Sequence, residues 1–184
     1  MVNLEKKKKV LRCIFILFFG AFTAIGFAKS IVISLDIDES YAVAQSYRMA
    51  IGDRLFVDMW EPHQLSAFLA ALFIKPYLAV AGTTNYLVIY LRVIGSMLHI
   101  AVGYIFFCAI RKVNCERYPA TLILLVHLNF LPKWVQMPEF ELMHYWALVL
   151  IASCMFFYFY GSAQKDIRFW QACFWWYACA VILP

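Results

Sequence analysis

Long apolar runs broken by short polar punctuation set the pattern of this chain. Val10–Ile33 is apolar apart from small polar residues and one late lysine, Lys29. Further apolar runs cover about 86–110, 118–132 (short) and 143–161, and another begins near Phe169. A bilayer-spanning helix needs about 20 apolar residues. The pattern therefore predicts an all-α polytopic membrane protein with about four complete transmembrane helices and the start of a fifth. Two shorter amphipathic stretches, near 40–52 and 63–81, lie between the first and second spans. In the former, Tyr41, Ala44, Tyr47 and Ile51 recur at helical spacing. Ser40 is a candidate N-cap there, and Gly52-Asp53 a C-cap and turn.

Segment 65–81 has nearly the length and apolarity of a span, but Lys75-Pro76 sits at its centre. Charge distribution decides its expected placement. If it lies on the surface, the inner side holds ten bases against three acids, net +7, and the rest of the chain nets −2. If it crosses, the Arg111-Lys112…Arg117 loop moves outside, against the positive-inside rule. Both 40–52 and 63–81 are therefore expected as interfacial or re-entrant helices of one exterior loop, 34–85. The whole chain, 1–184, reads as a single membrane domain, with Lys6–Lys9 on the cytoplasmic side of an uncleaved signal anchor.

Composition agrees: 65% hydrophobic, 15% charged, which places the chain in the integral membrane class. The net charge of +5 does not indicate nucleic acid, because the bases gather at span ends rather than on a binding face. Five of the six cysteines fall in apolar runs, and none has metal-ligand spacing, so disulfides and a cysteine-based zinc site are not expected.

Candidate chemistry concentrates in the exterior loop. Six carboxylates lie between Ser34 and Gln64, beside a membrane surface where ionisable groups are readily tuned. Asp36 and Asp38 at i, i+2 can share a cation or a bound donor, or act as one raised and one ionised carboxylate. Otherwise they form a solvated cap on the first span. Trp60-Glu61-Pro62-His63-Gln64 offers an aromatic, an acid and a histidine on a stiffened bend, suited to a sugar ring and its hydroxyls. Its plainer role is a turn with an interfacial tryptophan. Glu139 and Glu141, followed by His144, repeat the i, i+2 acid pair in the next exterior loop.

Within the membrane, Arg92, Ser96, His99 and Gly103 step by helical spacing along one face. Arg92 can snorkel toward an anionic phosphate, or pair with a loop carboxylate. His127 and Asn129 read as interhelical hydrogen-bond partners.

In order, these parts resemble the N-terminal part of a GT-C class integral membrane glycosyltransferase, most nearly the protein mannosyltransferase and aminoarabinose transferase group. The matching features are the basic N-terminus, one span, Asp38-Glu39-Ser40-Tyr41, Gly52-Asp53, Glu61-Pro62-His63-Gln64 and then further spans. The resemblance implies transfer of a sugar from a polyprenyl-phosphate donor to an acceptor on the exterior face of a bacterial plasma membrane. It assigns catalysis to Asp38 and Glu39, a second loop acid to Glu61 and a second acidic motif to Glu139 and Glu141; beside Glu61, the residues' own chemistry makes Trp60, His63 and Arg92 the substrate-binding candidates. The class has metal-dependent and metal-independent members, so a divalent metal stays open, with Asp36, Asp38, Glu139 and Glu141 as candidate ligands. Members carry about seven or more spans, so this chain is expected to be a truncated module, inactive alone. The rival readings are a transporter or channel subunit, using Arg92 and His99 as a relay, and a non-catalytic membrane assembly protein.

Overall fold

The computed structural model describes residues 2–34, 36–60, 63–112, 115–130 and 137–160. It is an all-α protein, with six α-helices among the described residues: α1 (Val2–Val32), α2 (Ile37–Ile51), α3 (Ala67–Ala81), α4 (Leu87–Lys112), α5 (Arg117–Asn129) and α6 (Phe140–Tyr160). A 3-10 turn, Gln64–Ser66, leads into α3. Among the described residues four helices are long and apolar enough to cross a membrane: Glu5–Val32, Gln64–Ala81, Leu87–Lys112 and Phe140–Phe157. The chain is a multi-pass membrane protein.

Helix α1 has 31 residues, about 46 Å at 1.5 Å per residue, which exceeds a hydrocarbon core of about 30 Å. The lysine run is thus already helical and continues the span rather than preceding it. Helix α2 starts earlier than Ser40 suggests. Asp36, extended at φ −86° and ψ 158°, caps it by accepting from Ile37 N at 2.7 Å. The Ser40 hydroxyl instead donates back to Ile37 O. Asp38 and Glu39 then fall in the first turn, where the helix dipole favours negative charge. Gly52, at φ 118°, closes the helix in the left-handed region that glycine enters without a Cβ clash.

Helix α3 carries Pro76 internally and packs mainly against α2. Ala50, Ala70, Ala71, Ile74, Leu87 and Leu91 form the buried cluster between α2, α3 and α4. By length and composition Gln64–Ala81 qualifies as a span; its expected surface placement rests on Lys75, Pro76 and the charge balance, and Arg92, near the start of α4, bonds carbonyls at the end of α1. The run expected over 118–132 forms a helix of 13 residues, about 20 Å long, and is not among the four membrane-length helices. The expected fifth span lies outside the described residues.

Side-chain contacts give the helix directions. Arg12 lies over the Tyr118 ring at 5.1 Å, and Asn129 Nδ2 donates to Thr23 Oγ1 at 2.7 Å, so α1 and α5 run parallel. Trp146 meets His99, and Phe156 meets Phe106, so α4 and α6 run parallel to each other. Helix α5 returns against α4 after a short connection. The outcome is a polarised bundle: Lys6–Lys9, Arg12, Arg111, Lys112 and Arg117 gather at one end, and Asp36, Asp38, Glu39, Glu139 and Glu141 at the other.

Candidate functional site at the acidic end

The acidic end is organised around one buried ion pair. Glu39 and Arg92 are 1% and 2% exposed. The Arg92 guanidinium grips the carboxylate side-on, Nε to Oε1 at 2.6 Å and Nη2 to Oε2 at 2.5 Å. Its remaining N–H groups donate to Ile31 O at 3.0 Å, Ile33 O at 2.6 Å and Ser34 O at 3.4 Å. These are carbonyls at the end of α1, which lack intrahelical donors and favour a cation. Three elements are thereby fixed: the end of α1, the first turn of α2 and the second turn of α4. All five arginine N–H groups have acceptors. In this conformation none is left for a phosphate, and the Glu39 oxygens are likewise engaged.

Asp38 is exposed in the same first turn that Glu39 anchors. Asp36 serves as the cap. The later acids of the loop build the fold: Arg48 Nε donates to Asp53 Oδ2 at 2.7 Å, and Arg54 donates to Asp58 Oδ2 from its backbone N and from Nε. The Arg54 contacts hold the Asp58 carboxyl below its usual range. Arg48 also donates to Asp58 O, and Phe56 N donates to the buried Gln64 Oε1 at 3.1 Å. These contacts shape residues 53–60 into a compact turn over buried Met59.

Trp60 is 77% exposed and meets Phe56 edge-on. Glu61 lies outside the described residues. His63 holds a left-handed backbone, φ 60°, and its ring lies on Phe140 with centroids 3.9 Å apart. Phe140 also contacts the His144 ring. This stack joins the loop between α2 and α3 to the start of α6, beside Glu139, which is buried, and Glu141, which is half-buried. Among the described residues no group of three or more His, Cys, Asp or Glu could hold a metal ion. The candidate ligands Asp36, Asp38, Glu139 and Glu141 therefore do not form such a site there.

Below the ion pair lies a second polar centre. Trp146 Nε1 donates to His99 Nδ1 at 2.8 Å. Since indole N–H is only a donor, His99 carries its proton on Nε2, which donates to His127 O at 3.1 Å. His127 Nε2 donates back to His99 O at 3.3 Å, and its Nδ1 accepts from the Tyr145 hydroxyl at 2.8 Å. The two rings stack at 4.5 Å. Gly103 makes room: a Cβ there would lie 2.6 Å from His127 Cδ2. His127 and Asn129 do bond between helices, whereas Tyr145 and Trp146 escaped the sequence reading. Their signal was weak, two aromatics with polar tips inside an apolar helix.

No protein-family model, no curated protein and no solved structure matches the chain.

Proposed function

We propose that this chain is part of a membrane glycosyltransferase that transfers a sugar from a polyprenyl-phosphate donor to an acceptor on the exterior face. The observation that carries this reading is the exposed Asp38 on a helix turn immobilised by its neighbour. Glu39, clamped by Arg92, holds the first turn of α2, and Asp38 is displayed at the acidic end of a basic-to-acidic polarised bundle. A general base benefits from such support, because small misplacements of a catalytic group are costly.

In this reading Asp38 orients the acceptor hydroxyl and takes its proton as the oxygen attacks the sugar's anomeric carbon, and the lipid phosphate leaves with the bonding electron pair. Glu39 and Arg92 act through position rather than on substrate. Trp60 and His63 offer the ring surfaces for the sugar. A transport role for His99 finds less support, since both nitrogens of His99 and of His127 are already engaged.

The test is sugar transfer from a polyprenyl-phosphate donor by the longest form of the protein that is active. Asp38→Asn, which preserves shape, should lower turnover by about 10²–10⁴-fold while donor binding persists. Asp36→Asn should cost about tenfold or less, because capping is a structural role. Near-normal turnover in Asp38→Asn would remove the proposed mechanism.

A further inference from the structure

The basic end of the bundle is as strongly differentiated as the acidic one, and the proposed chemistry does not use it. Lys6–Lys9 occupy four consecutive positions of α1. At 3.6 residues per turn they surround the helix with ammonium groups. Arg12 follows, one turn deeper, its guanidinium over Tyr118. Arg117 adjoins Tyr118 in sequence, and Arg111 donates to Cys115 O, two residues before Arg117. Helices α1, α4 and α5 therefore bring their bases to one corner. All of these bases are exposed.

Two exposed carboxylates, Glu5 and Glu116, share the corner with eight bases. Lys8 is 3.7 Å from Glu5, an exposed pair and so a weak one. Lys6, Lys7, Lys9, Arg12, Lys112 and Arg117 have no carboxylate partner among the described residues. Immediately below, α1 presents an apolar face, with Val10 53%, Leu11 67% and Ile14 57% exposed. Lys6, Lys7, Val10, Leu11 and Ile14 share one open face of α1. Two ammonium groups thus stand over three aliphatic side chains on one helix face.

We infer that this corner binds anionic phospholipids, with the headgroup phosphate at Lys6 and Lys7 and the acyl chains along Val10, Leu11 and Ile14 of the same α1 face. A soluble anion would use the bases alone. The aliphatic wall beneath them matches a ligand with an anionic head and an apolar tail. Bases near an anionic leaflet contribute about fivefold each to binding. The inference rests on the membrane fold and not on the glycosyltransferase reading, so either can fail without the other.

The test uses the full chain purified in an uncharged detergent and titrated with phosphatidylglycerol or phosphatidylcholine. Bound lipid is counted by native mass spectrometry, and stability is followed by thermal unfolding. Phosphatidylglycerol should be retained at least tenfold better and should raise the unfolding midpoint. A Lys6→Gln, Lys7→Gln, Lys8→Gln, Lys9→Gln variant should lose most of that preference with its fold intact, since these side chains are exposed. Arg12→Gln with Arg117→Gln, on the opposite face of α1, should leave it within about twofold. Equal retention of both lipids, an unchanged preference in the four-lysine variant, or full displacement by millimolar inorganic phosphate would overturn the inference.

Discussion

Arg92 and Glu39, 53 residues apart in sequence, form a side-on bidentate ion pair in which every guanidinium N–H has an acceptor. Breaking a buried pair from one side leaves an uncompensated charge, at a cost of about 3–5 kcal/mol. Glu39→Gln should therefore destabilise the protein by roughly that amount in detergent unfolding. Arg92→Lys should also be damaging despite its retained charge, because an ammonium cannot reproduce the fork. Wild-type stability in Glu39→Gln would show that the clamp contributes nothing.

Gly103 and His127 offer a separable test. A methyl at position 103 would meet the imidazole at 2.6 Å, so Gly103→Ala should cost about 1–3 kcal/mol through overpacking. His127→Ala should cost at least as much, since it leaves Tyr145 and the His99 carbonyl without a partner. The double variant should lose less than the sum, because the second change removes the clash. Strict additivity, measured by a thermal-unfolding cycle, would mean the two residues do not touch.

Topology is checked by thiol labelling in a background lacking the native cysteines. Ser34→Cys and Thr83→Cys flank α2 and α3, and both positions are exposed. If α3 lies on the outer surface, an impermeant reagent should label both in intact cells. Labelling of Thr83→Cys only after lysis would make α3 a span, despite Lys75 and Pro76.

Asp58 gives a local acid response. Its carboxyl sits below the usual 3.8 because Arg54 stabilises the charged form. A depressed folded value gives stability that is present above the unfolded value and lost as pH falls through the folded one. The protection factor of the Arg54 amide, which donates to Asp58, should be steady from pH 7 to pH 5 once the intrinsic exchange rate is divided out. Its protection should fade only below about pH 4, and Asp58→Asn should weaken it at every pH.

The elements of this fold were largely legible in the sequence, because a bilayer imposes its own length rule on apolar runs. Helices α4 and α6 fall within about three residues of their expected limits, and Gly52 ends α2 as its residue type suggests. The pairings were less legible. Arg92 and Glu39 were each conspicuous, yet periodicity relates residues on one helix and cannot couple positions 53 apart. Helix α5 proved short for a related reason. An apolar run records what the chain avoids, whereas the helix stops where His127 and Asn129 find partners on α4, α6 and α1.

The Arg92 clamp also bears on the order of assembly. When α4 enters the bilayer it brings a guanidinium whose burial would be expensive without partners. By then the acceptors have been synthesised: the α1 carbonyls and Glu39 precede Arg92 by 53 to 61 residues. The first span and the turn after it thus act as a receptor for a later one. The charge that would hinder insertion of α4 becomes the contact that aligns it.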